Sequence, residues 1–178
     1  MASEESLNTV TLTRNERLML INQYAILKGL DPAEAETYSR NIEILSNGYE
    51  GEYGSIFGFV EPETLSRERS SEIHDILSMY DHLQRSFDEL ADREGVNEYR
   101  IKFPGFSGNE ETTEMAFCRY LVADNRWTSL RLANAEMNSG VPLLDRYRGM
   151  LKVWRDKSQG DPIRLLSKGD LISVIDSQ

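Results

Sequence analysis

The chain has 178 residues, 39% of them apolar and 28% charged, with a formal net charge of −10; that is enough apolar material for one packed domain and too much for a disordered chain. Residues 1–90 carry 17 acids and 7 bases while residues 91–178 carry 13 of each, and an acidic whole repels phosphate backbones, which disfavours general nucleic-acid binding. A single cysteine, Cys118, excludes an intramolecular disulfide, the opening MASEESLNTV has acids and no apolar core and so is no signal peptide, and no run approaches the ~20 apolar residues that span a bilayer; the expected location is the cytoplasm.

Residues 1–12 read as an N-terminal arm, partly disordered, and Asn8 to Thr13 (NTVTLT) has the β-branched alternation of a short strand. Thr13 followed by Glu16 makes a capping box and predicts a helix start. The helix RNERLMLINQYAILKGL ends near Gly29. Its apolar residues Leu18, Met19, Leu20, Ile21, Tyr24, Ala25, Ile26 and Leu27 cover most of the circumference, so it needs cover on several sides, and a partner subunit is one source. Asp31 as N-cap, Pro32 at the first position and Glu34 predict a second helix from Pro32 to Asn47. It carries Ala35, Tyr38, Ile42 and Leu45 on one face, with Gly48 as its stop. The short link makes the two an antiparallel hairpin. Residues 48–64 (GYEGEYGSIFGFVEPET) read as an ordered loop with aromatics packed onto the helices; the sharper alternative is a ligand lid on glycine hinges.

Ser66 to Leu90 predicts the longest helix, about 37 Å at 1.5 Å per residue. Ile73, Ile76, Leu77, Tyr80, Leu83, Phe87 and Leu90 recur at gaps of three and four along one stripe, so the rest of the fold should pack around it. Gln84, Asp88 and Glu89 fall on faces that prefer water. Residues 91–109 break the pattern; Tyr99 to Phe103 alternates as an extended segment would, ahead of Pro104-Gly105-Phe106. Asn109 is the expected cap of a helix running toward Trp127, with Glu110, Glu111 and Glu114 in its first turns. After a loop over 132–142, Pro142 to Lys157 predicts a helix with Leu143, Leu144, Tyr147, Met150, Leu151 and Trp154 on one face. Ser167 with Asp170 caps a last short helix. The fold expected is all-α: a single-domain bundle of about six helices around the long central one, with at most a short β arm or strand pair, and domain bounds of 1–12 for the arm and 13–178 for the helical domain.

Few residues arrange themselves as chemistry requires. His74, Asp75 and His82 on the central helix could ligate a metal, but the His-Asp pairs are seven apart, about 10 Å along the axis, whereas metal-binding helices use gaps of three or four; solvated flanking polar residues are the better reading. Cys118 has no His near it in sequence and reads as a buried thiol. No nucleophile elbow or phosphate-binding glycine motif is present, and Glu50 and Glu52 would repel phosphate from the glycines of 48–58. Asn22, Gln23 and Tyr24 lie in the apolar run LMLINQYAIL and read as structural or interface polar groups, because buried amides need partners. From Phe117 to Arg155 there are seven basic residues and three acidic ones. Arg148, Lys152 and Arg155 share a helix face, bracketed in sequence by Trp127 and Trp154. Pairing of these cations with the acidic half is the first reading; a small anionic ligand held by Trp127, Arg148, Lys152 and Trp154 is the second.

The sequence resembles the YfbU family. The likeness runs through LTRNERLMLINQY (Leu12 to Tyr24), Leu30-Asp31-Pro32, Gly48-Tyr49, Asp75 with Met79-Tyr80, RIKFPGF (Arg100 to Phe106), DRYRGMLKVW (Asp145 to Trp154) and Leu166-Ser167, and so covers nearly the whole chain. The resemblance implies an all-helical bacterial protein that forms oligomers, without an assigned activity. Family relatives lack His at 74 and 82, which weakens any catalytic role for them. Some relatives are fused to a small DNA-binding module, implying assembly or ligand sensing. The expectation is therefore a non-catalytic, homo-oligomeric regulatory or interaction module without a cofactor. A small-ligand sensor is the alternative, and a metal-dependent hydrolase or a DNA-associated regulator ranks lower.

Overall fold

The computed structural model describes residues 10–177 apart from 61–63, 125, 128, 160 and 162. The chain is all-α: eight α-helices and no β-strand lie among the described residues. Its contacts gather into two compact units, residues 1–64 and residues 65–178.

In the first unit Thr13 starts α1 (Arg14–Leu30) through the predicted capping box: its hydroxyl accepts from Glu16 N at 3.3 Å, and its own N–H donates to Glu16 Oε2 at 2.7 Å. Asp31 accepts from Ala33 N at 3.2 Å and opens a 3-10 turn over Pro32–Glu34, which leads into α2 (Ala35–Asn47). Gly48 stops α2 at φ 68°, a left-handed cap that a Cβ would strain. α1 packs on α2, with Tyr24 and Tyr38 rings 6.0 Å apart, over a core of Ile44, Leu45, Tyr53 and Ile56. Arg17 Nη1 donates to Leu45 O at 2.9 Å, satisfying a carbonyl in the last turn of α2. The segment after Gly48 is more ordered than a loop: a 3-10 turn (Glu50–Glu52) and the four-residue α3 (Gly54–Phe57) lay Tyr53 and Ile56 into that core, while Tyr49 and Phe59 stay exposed. Asn8 and Thr9 of the expected strand lie outside the described residues, as does most of the 1–12 arm, and Val10–Thr13 forms no strand.

The second unit is built on α4 (Arg67–Asp88), with α5 (Glu98–Ile101), α6 (Thr112–Ala123), α7 (Leu144–Ser158) and α8 (Lys168–Asp176). The predicted stripe Ile73, Ile76, Leu77, Tyr80, Leu83 and Phe87 is buried, each aliphatic member contributing about 1.5–3 kcal/mol. Met79, His82, Gln84 and Ser86 are buried as well, so the C-terminal half of α4 is enclosed nearly all round. Gln84, assigned to water from its sequence position, donates Nε2 to Ile101 O (3.1 Å) and Arg131 O (2.9 Å) and accepts Arg131 N (2.7 Å). An amide with those partners buries without penalty.

Two sequence readings shift. Tyr99 to Phe103, expected as extended, opens as α5, because Asn97 Oδ1 accepts Tyr99 N at 3.0 Å and caps a helical turn. Extended pairing starts only at Phe103: isolated parallel bridges join Phe103 to Leu132 and Phe106 to Asn138. Asn109, expected as a helix cap, lies before the start of α6 at Thr112; the Ser107 hydroxyl takes Asn109 N (3.4 Å) and Glu110 N (3.3 Å) into a turn instead. No described helix is long and apolar enough to cross a membrane.

Candidate functional site

The surface that stands out is on α1. None of its 17 residues is buried. One side, with Leu20, Ile21 and Tyr24 partly buried, meets the first unit's core. The other side carries Leu18, Met19, Ile26, Leu27 and Leu30, each with between 40% and 75% of its surface open. Together they make an apolar patch on the order of 500 Å², toward the upper end of what an isolated monomer carries. Asn22 and Gln23 are exposed on this same side, between the apolar residues. In the single chain both amides are open to solvent, as are the apolar residues beside them. Tyr24 points the other way, onto Tyr38.

The cationic stretch is a different matter. Arg148 forms a two-pronged ion pair with Glu72, Nε–Oε1 2.7 Å and Nη2–Oε2 3.0 Å, and reaches Asp145 at 3.0 Å. These carboxylates push its guanidinium pKa up. Arg155 meets Asp75 at 2.5 Å. Arg148 and Arg155 of α7 are thus matched by Glu72 and Asp75 of α4, the pairing with the acidic half that the sequence suggested. A groove of about 480 Å³ lies here, lined by Arg67, Ser71, Glu72, Asp75, Arg148 and Arg155 among others.

The four residues proposed for an anionic ligand do not converge on it. Only Arg148 lines the groove. Lys152 is exposed. Trp154 is buried and gives its indole N–H to His82 Nδ1 at 2.8 Å. Trp127 packs against the second unit's core, its buried indole nitrogen without a hydrogen-bond partner among the described residues.

Nor do His74, Asp75 and His82 form a metal centre: no such cluster exists among the described residues. His74 stands edge-on to Phe117, ring centroids 5.7 Å apart, and Asp75 is taken by Arg155. His82 is fully buried, its second nitrogen Nε2 lying 2.9 Å from Arg164 O. Indole can only donate, so Nδ1 must accept and Nε2 must carry the proton. Both nitrogens are then occupied, and burial pushes the imidazole pKa down, keeping the ring neutral. Burial likewise pushes the Cys118 thiol up to about 12, so it holds no thiolate at neutral pH.

The YfbU domain family matches residues 10–177. The chain belongs to the YfbU family. Similar chains include a UPF0304 protein of Methanocaldococcus jannaschii, 38% identical over 152 residues, covering 82% of this chain and 89% of that one. Another is a UPF0304 protein of Actinobacillus succinogenes, 33% identical over 150 residues, covering 84% and 90%.

Sequence reasoning missed the buried carboxylates of this YfbU chain. Glu111, expected in a helical first turn, accepts Ser107 N (2.8 Å) on one oxygen and Leu143 N and Leu144 N (2.7 Å each) on the other, so it caps α7 from a distance. Glu114 is buried against Arg69. The absence of a capping residue ahead of Leu144 was the available signal that α7 needs an acceptor from elsewhere.

Proposed function

We propose that this chain is a non-catalytic, self-associating helical module that works in the cytoplasm as a regulatory or interaction element. One observation carries the reading: a helix of 17 residues with none buried and five large apolar side chains open on its outer face. The largest apolar patch on a protein is often functional, and association is a common use of one rimmed by polar residues. The residues that could have argued for catalysis support it indirectly, since His82 and Cys118 are consumed by packing and hydrogen bonding. Static light scattering of the full chain tests the reading: a dimer or higher species is expected at micromolar concentration, and a strict monomer overturns it.

A second reading places a small anionic ligand in the groove beside Arg67, which has no ion-pair partner among the described residues. It is the weaker reading, because Arg148 and Arg155 are already neutralised. Thermal-shift screening against anionic metabolites checks it; absence of any stabilisation removes it.

A further inference from the structure

The outer face of α1 has an internal symmetry. At four-residue intervals it presents Leu18-Met19, then Asn22-Gln23, then Ile26-Leu27: an apolar pair, an amide pair, an apolar pair. The six fall within about half the helix circumference, and all six are exposed. Read from either end, the chemistry is the same. A two-fold interface demands this of a surface, because the same patch must complement itself.

We infer that α1 pairs antiparallel with α1 of a second copy, about a two-fold axis passing between Asn22 and Gln23; this rests on the self-association reading above. Such an axis sets Leu18 opposite the second copy's Leu27, Met19 opposite its Ile26, and Asn22 opposite its Gln23. A side-chain amide carries both donor and acceptor, so the central pair satisfies itself across the axis, and the apolar pairs close over it on both sides. A polar pair inside an apolar seam fixes register, as an interior Asn does in coiled coils. The antiparallel sense also puts each helix N-terminus beside the other's C-terminus, which the dipoles favour. An ordinary stable interface buries roughly 800 Å² per partner, and this face would form its apolar centre.

Cysteine cross-linking tests the orientation, with light scattering on the same samples. Native Cys118 is buried and silent, and the unaltered chain is the control. Gln23→Cys lies next to the axis and should cross-link to itself under mild oxidation. Leu18→Cys should not, because nine residues separate Leu18 from the position it faces, about 13 Å along the helix, beyond disulfide reach. Differently tagged Leu18→Cys and Leu27→Cys chains, co-expressed, should cross-link to each other. Self-cross-linking of Leu18→Cys means a parallel pair and overturns the inference while leaving self-association intact. A dimer by light scattering without cross-links at any of these positions overturns it by placing the interface elsewhere. A monomer overturns both.

Discussion

Gly105 leaves no room for a Cβ. Its φ is 93°, and a Cβ there would sit 1.9 Å from Met137 O, a backbone atom that cannot turn aside. The bridges of Phe103 and Phe106 hold that approach, and the Tyr147 hydroxyl donates to Gly105 O at 2.5 Å. Gly105→Ala should cost about 3 kcal/mol or more, combining strained backbone and overpacking, and calorimetry should register a lower unfolding temperature. Gly169→Ala, in α8 with open space around it, should instead stabilise slightly, by about 0.5–1 kcal/mol. Glu111→Ala strips one buried and two half-buried N–H groups of their acceptor and should destabilise by about 2–4 kcal/mol in denaturant titrations. His82 sets a pH dependence. Its folded pKa lies below the unfolded value of about 6.5, so at mildly acid pH the unfolded chain binds more protons. Its stabilising contribution is therefore full above the unfolded pKa and falls as pH drops below it. Protonation also sets an N–H against the Trp154 N–H. Melting temperature should decline between pH 7 and pH 5, and His82→Gln should flatten that decline; an unchanged slope in the variant would show that other groups, His74 among them, are responsible.

At the scale of the helix, the capping signals carried far: Thr13, Asp31, Gly48, Ser66 and Ser167 each sit where a start or stop was read. Those signals are local: a side-chain acceptor within three residues of the N–H it serves or, at Gly48, a left-handed glycine cap. The misread starts share the opposite trait. α7 is capped by Glu111, more than thirty residues away, and Asn109 is pre-empted by Ser107. No periodicity encodes such a partner. The burial of Gln84 and His82 was likewise invisible, because their partners, Ile101, Arg131, Arg164 and Trp154, lie on other elements. For α1 the over-wide apolar surface was legible, and the exposure of its outer half follows from it; that Asn22 and Gln23 share that exposed half follows from their helical register. The same exposure separates association from folding. Met19→Glu/Ile26→Glu puts charges on the outer face while keeping good helix formers. Circular dichroism should be unchanged, and a loss of helicity would mean that this face is needed for folding.

For the molecule as a whole, the net charge of −10 arises in the first ninety residues, yet Glu72 and Asp75 from that stretch neutralise Arg148 and Arg155 on α7. These pairs are solvent-exposed, so Arg148→Ala should lower stability by less than about 1 kcal/mol, and the difference should shrink further in high salt. In the second unit the interior cluster takes in Cys118 and Trp154, while in the first unit α1 carries an exposed apolar outer face. The central claim is that a second copy covers that face. Sedimentation equilibrium of the full chain and of the Met19→Glu/Ile26→Glu variant, across a range of concentrations, tests it most directly. The account predicts a concentration-dependent dimer or larger assembly for the native sequence and a monomer of 20.4 kDa scale for the variant. A native chain that stays monomeric throughout, or a variant that assembles as tightly as the native chain, would contradict it.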